Sequence, residues 1–86
     1  LQNQLQIAEQ NVTQSKAQVS YFENEGLPNA LLIEKTANQQ FYGGEINYLD
    51  WVMLTNQVIS AKKNYIDSVY NYNESVIELL YLTQKL

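Results

Sequence analysis

Apolar residues recur at helical spacing along almost the whole chain. Leu1, Leu5, Ala8, Val12, Ser15, Val19 and Phe22 are separated by alternating steps of four and three, a heptad stripe with one polar position at Ser15. The residues around it are largely Gln and Asn, so the seam is narrow and suits one neighbouring helix, or two at most. The same face continues through Gly26, Ala30, Ile33, Ala37 and Phe41. A second pattern runs from Tyr48 to about Gln84. Trp51, Leu54, Val58, Ala61, Tyr65, Val69, Tyr72, Val76 and Leu79 form its stripe, widened by Val52, Ile59, Ile66, Ile77 and Leu80. At about 1.5 Å per residue this helix reaches on the order of 55 Å. The segment before it has the same reach.

The stretch between the two patterns, Phe41 to Val52, holds the signals that end one helix and start the next. Gly43-Gly44 follows the last apolar residue of the first stripe, where glycine supplies the left-handed conformation that closes a helix C-terminus. Asn47 is a good N-cap, and Asp50 stands at the acidic third position of a capping-box-like pair, near the positive end of the helix dipole. Ile46 and Trp51 fall at the two positions of a hydrophobic staple. Together these predict a tight turn over 43–47 between a first arm, 1–42, and a second arm, 48–84.

Glu25-Gly26-Leu27-Pro28-Asn29 interrupts the first arm. Pro28 lacks the amide proton an α-helix needs and collides with the carbonyl four residues back, at a cost of roughly 3 kcal/mol. Because Phe22, Gly26, Ala30, Ile33, Ala37 and Phe41 keep one face, two roughly collinear helices about a kink or break near Gly26-Pro28 are expected. A reversal there would instead give a three-helix bundle. The expected fold class is all-α, a long antiparallel, coiled-coil-like helical hairpin in a single unit, 1–86.

Length adds a constraint: 86 residues bury little core on their own, and a partner is expected from size alone. Tyr70, Tyr81, Met53 and the Ile59/Ile66/Ile77 flank lie off the line that one partner helix covers, which leaves an apolar strip for other helices or for self-association. The five basic residues, all Lys, against nine acidic ones give a net charge of −4. Nucleic acid is not the expected partner, since phosphate neutralisation needs a clustered basic face. No apolar run approaches a membrane span. The first residue is Leu rather than Met, as expected of a piece of a longer protein.

The chain has no His and no Cys, so the commonest metal ligand and general base is missing and no thiol chemistry is available. Glu45 and Asp50 are the carboxylates nearest the turn, but their spacing matches no calcium loop. Helix capping accounts for Asp50 and a solvated loop for Glu45. Tyr at helical spacing reads as packing rather than as a stacking platform for bases or sugars. No enzyme, cofactor or metal site is expected, since nothing resembles a nucleophile with its base. The Asn11-Val12-Thr13 and Asn73-Glu74-Ser75 sequons carry no weight in an Asn-rich chain. The turn itself is a different candidate. An apolar-aromatic tip with Phe41, Tyr42, Ile46 and Tyr48 beside two glycines suits end-on contact with another protein; the competing reading is that these residues only close the turn.

The ordered set Leu27-Pro28, Phe41 to Glu45, Tyr48-Leu49, Asn64-Tyr65 and Tyr72-Asn73 resembles the C-terminal portion of the TolC family of outer-membrane efflux proteins, closest to its heavy-metal branch. The likeness covers about residues 20 to 83. Where the family usually continues "VLDAQ", this chain reads Trp51-Val52-Met53-Leu54-Thr55-Asn56-Gln57, with Gln57 kept. Such a segment also looks like a C-terminal extension of a CzcA/CusA-type resistance-nodulation-division cation pump, and both parents stay open. The resemblance implies a non-enzymatic hairpin in the periplasmic portion of a cell-envelope, outer-membrane-associated tripartite efflux assembly. Its helices would line a tunnel for cations or other small molecules. Its partners would be a periplasmic adaptor and an inner-membrane pump, met through a tip of Gly43, Gly44, Glu45, Ile46 and Asn47, with Trp51, Leu54, Val58, Tyr65, Val69, Tyr72 and Val76 as packing residues. A structural coiled-coil or oligomerisation module without a transport role is the alternative.

Overall fold

The computed structural model describes residues 2–85; Leu1, the first position of the expected stripe, and Leu86 lie outside them. Three α-helices follow in order, α1 (Gln2–Tyr21), α2 (Leu27–Tyr42) and α3 (Tyr48–Gln84), with a π-helical turn, Phe22–Gly26, joining the first two. No strand occurs among the described residues. The shape is a rod of 63 × 18 × 15 Å, two helices thick and one arm long. The chain is therefore an all-α helical hairpin.

The antiparallel pairing is visible in side-chain bonds that cross between the arms. Trp51 Nε1 donates to Asn38 Oδ1 at 2.8 Å, Lys62 Nζ to Glu34 Oε2 at 3.1 Å and Tyr65 Oη to Glu23 Oε1 at 3.0 Å, while Ser75 Oγ lies 2.8 Å from Ser15 Oγ. Residue numbers fall along one arm as they rise along the other. α1, the π turn and α2 thus run along a single partner, α3, and the three-helix alternative is excluded: the chain does not reverse at Gly26.

The interruption expected at Gly26-Pro28 takes the form of the π turn. Leu27 N–H bonds to Phe22 O, five residues back, and Pro28 sits in the first turn of α2, where a missing amide proton costs little. The wider turn inserts one extra residue into the ladder without breaking it. The seam positions Ala8, Ser15, Phe22, Ala30 and Ala37 step by seven except across this turn, where Phe22 to Ala30 is eight. Gly26 has ordinary helical angles, φ −62° and ψ −50°; what the site needs is space, because an added Cβ would lie 3.0 Å from Phe22 Cδ1.

Between the arms most buried side chains are small, Ala8, Ser15, Ala30 and Ala37 from the first and Ser68 from α3, joined by the larger Val58 and Leu82. Small residues at the contact let two helices approach closely, but they remove little apolar surface from water, at roughly 25 cal/mol per Å². The internal core is correspondingly thin. Val58, at 1% exposure, is the only large side chain of the stripe that is fully enclosed among the described residues.

Candidate functional site

The turn is built by a Schellman closure followed at once by an N-cap. Gly43 is still right-handed, φ −81° and ψ −2°, with its N–H on Gln39 O at 2.9 Å. Gly44 carries φ +76°, the left-handed angle that L-residues reach only at a cost of about 1–2 kcal/mol. Gly44 N–H then bonds Phe41 O at 3.1 Å, and Glu45 N–H bonds Gln40 O at 2.8 Å. These are the paired 5→2 and 6→1 bonds that satisfy the last carbonyls of a helix. Asn47 is extended, φ −83° and ψ 172°, and its Oδ1 accepts from Asp50 N–H at 2.8 Å, which satisfies one of the free amides in the first turn of α3. Of the two glycines, only Gly44 needs its backbone freedom.

Aromatic rings fix the tip from the inside. Phe41 and Trp51 stack at 5.0 Å between centroids with 21° between planes, and Tyr48 flanks both at 6.3 and 6.0 Å. Trp51 is also tied to α2 by its bond to Asn38. Ile46, the expected staple partner of Trp51, is half-buried and lines a shallow groove with Asp50, Met53, Leu54 and Gln57, while Trp51 is stacked on Phe41 and bonded to Asn38. Nothing in local spacing singles out Asn38, because its partner lies across the turn.

Of the five tip residues singled out by the sequence, Gly43, Gly44, Glu45 and Asn47 are exposed and Ile46 is half-buried. The Asn47 side chain is occupied as a cap, which leaves less of it for a partner. The large apolar surface at this end comes from Tyr42, Tyr48 and Leu49, 81%, 67% and 66% exposed. Leu49 is the addition. It precedes the packed stripe, which begins only at Trp51, and as the second residue of α3 it points away from the first arm.

Along α3 the packing residues Trp51, Leu54, Tyr65, Val69, Tyr72 and Val76 are half-buried and Val58 is buried. In the half distant from the turn, the positions nearest the seam are Ser68, 3% exposed, and Leu82, 7% exposed, with Ser75 between them. Val69 and Val76 flank this line. The sequence stripe followed the apolar residues and so passed over two serines. Their hydroxyls bond backward to carbonyls of their own helix, Ser68 to Tyr65 O at 2.6 Å and Ser75 to Tyr72 O at 2.7 Å, which makes a serine compatible with an apolar seam.

Charged groups are sparse and peripheral. Among the described residues, no three Asp, Glu, Cys or His side chains come together as a metal site, and no helix is long and apolar enough to cross a membrane. Tyr65 is held above the ordinary tyrosine value by its hydrogen bond to Glu23, and Tyr70 by one to Glu74; both lie on the surface. Comparison with models of protein families, with characterised proteins and with solved structures finds no match.

Proposed function

We propose that the chain acts mechanically, as a helical wall element of a tripartite efflux assembly that docks a periplasmic adaptor through the end of its hairpin. The observation that carries this reading is the tip: a rigid turn, capped on both sides, presenting Tyr42, Tyr48 and Leu49 to solvent at the end of a rod 63 Å long. Exposed aromatic and aliphatic side chains on a preorganised support are what a protein contact uses as anchors. The likeness of Leu27-Pro28, Phe41 to Glu45, Tyr48-Leu49, Asn64-Tyr65 and Tyr72-Asn73 to the TolC family supports the efflux setting. An inner-membrane resistance-nodulation-division pump, cations or other small molecules as cargo, and a periplasmic position belong to the same proposal.

The experiment places a photo-crosslinking amino acid at Tyr42 and mixes the chain with the adaptor encoded beside its parent gene. Capture of the adaptor, weakened by Gly44→Val while far-ultraviolet circular dichroism stays helical, is expected. A short free-standing reading frame with no adaptor neighbour, or capture unchanged by Gly44→Val, contradicts the docking tip.

A second reading, a packing or oligomerisation module without transport, is favoured by a different observation. Ile59, Ile66, Tyr70, Ile77, Leu80 and Tyr81 of α3 are each more than half exposed. A surface of that size on so thin a hairpin calls for helices beyond its own two arms.

A further inference from the structure

The first arm carries one residue more than its repeat needs. Across the π turn the seam step from Phe22 to Ala30 is eight, whereas Ala8 to Ser15, Ser15 to Phe22 and Ala30 to Ala37 are each seven, so removing one residue there would leave an unbroken heptad. The partner helix changes its contact at the same level. On the tip side of Tyr65 the buried residue of α3 is Val58, and beyond Tyr65 the buried residues are Ser68 and Leu82. Ser68 and Leu82 are two heptads apart, but Val58 to Ser68 is one heptad and three residues. Three residues turn a helix through about 300°, which is about 60° in the opposite sense. α1 and α2 therefore lie against different rows of α3, and the π turn is where the first arm passes from one row to the other.

Little holds the turn itself. None of Phe22–Gly26 is buried, and Glu23, Asn24 and Glu25 are exposed. Among the described residues its hydrogen bond to α3 is the surface one from Tyr65 Oη to Glu23 Oε1 at 3.0 Å. Leu27 N–H reaches back five residues to Phe22 O, and Pro28, next in line, has no N–H to add to the ladder. The halves on either side are fastened, by Ser15 with Ser75 in one and by Glu34 with Lys62 and Asn38 with Trp51 in the other. A π turn inside a long helix is one of the few places where it bends sharply.

We propose that the π turn is a hinge, a single inserted residue that lets the tip half of the hairpin change its angle to the other half while both seams stay closed. α3, continuous over 37 residues, bends with it as the unbroken partner. The hinge re-aims the end of the rod without unzipping the arms, and it depends on neither the efflux reading nor the packing one.

The test compares two spin-label distances, each between cysteines at exposed positions 18 residues apart: Ala17→Cys with Lys35→Cys across the π turn, and Asn56→Cys with Glu74→Cys along α3 past the same level. The expected distance distribution is at least about twofold wider for the first pair than for the second. Deletion of Asn24, which restores the step of seven, should narrow the first pair to the width of the second while far-ultraviolet circular dichroism stays helical. Equal widths in the undeleted chain overturn the hinge, as does a deletion variant whose first pair stays broad. A deletion variant that loses its helicity also overturns it, because the seam would then require the inserted residue.

Discussion

Ser15 Oγ and Ser75 Oγ lie 2.8 Å apart across the seam between α1 and α3. Each hydroxyl is also within reach of its own helix, Ser15 of Asn11 O at 2.6 Å and Ser75 of Tyr72 O at 2.7 Å. The polar position in the first stripe is therefore a fitted contact. Its small volume sets how closely the arms approach, and its hydroxyl has partners on both sides.

This fixes the expected order of substitutions at position 15. Ser15→Leu, which would make the heptad uniformly apolar, should destabilise the hairpin by about 1–3 kcal/mol through overpacking. Ser15→Ala should cost at most about 1 kcal/mol, since Ser75 keeps its carbonyl partner. Urea denaturation followed by circular dichroism ranks the two, and a more stable Ser15→Leu would show that the seam has room to spare.

At the turn, Gly44→Ala should cost about 1–2 kcal/mol because of the left-handed angle alone. Nothing lies within 4 Å of the added Cβ, so the loss is conformational rather than steric. Gly44→Asn, which tolerates that region better, should recover part of it. Equal losses for Ala and Asn in thermal melts would mean that something other than backbone angle is at stake.

Trp51→Phe keeps a ring for Phe41 to stack on and removes only the indole N–H that bonds Asn38. The expected loss is about 1 kcal/mol, with Asn38 rehydrated because it is only half-buried. If Asn38→Ala costs the same and the double variant costs no more than either, the bond is confirmed by the cycle; additive losses would argue against it.

Much of the fold was legible because its signals are local. Gly44, Asn47 and Asp50 each act on backbone within a few residues, and the heptad of the first arm describes a single face. What spacing did not disclose depends on the other arm. Asn38 matters only because Trp51 reaches it across the turn, and Ser68 lies in the seam because small residues there allow close approach, whereas an apolar stripe favours Val69. Pro28 gave the place of an interruption but not its form, since a kink, a reversal and a π turn all relieve the same missing bond. The step of eight from Phe22 to Ala30, among steps of seven, marks the inserted residue once the seam positions are known. At the tip, Leu49 was part of a motif but its exposure follows from where packing starts, at Trp51.

The Tyr65–Glu23 bond gives a pH dependence. The neutral phenol is the donor, so Tyr65 titrates above 10.0, the ordinary tyrosine value. A folded value raised above the unfolded one contributes stability that is present below pH 10 and lost as pH rises through the folded value. Ultraviolet titration of the chain should show two late-titrating tyrosines, Tyr65 and Tyr70, of which one is lost in Tyr65→Phe and moves down in Glu23→Gln while the other stays. Glu23 is exposed and the Tyr65 hydroxyl lies at the surface, so the stability change is small and the titration is the sensitive readout. An unchanged profile in Glu23→Gln would remove the bond from the solution structure.

The bend at Gly43–Asn47 is tested most directly by a distance. Asn11 and Glu78 line the same groove at the end far from the turn, and cysteines at these two positions can be spin-labelled without interference in a chain that has none. Diluted with unlabelled chain, the pair should give a dipolar distance under roughly 30 Å, two helix widths including the labels. An uninterrupted helix over the same residues would separate them by roughly 100 Å, and a distance in that range would contradict the hairpin.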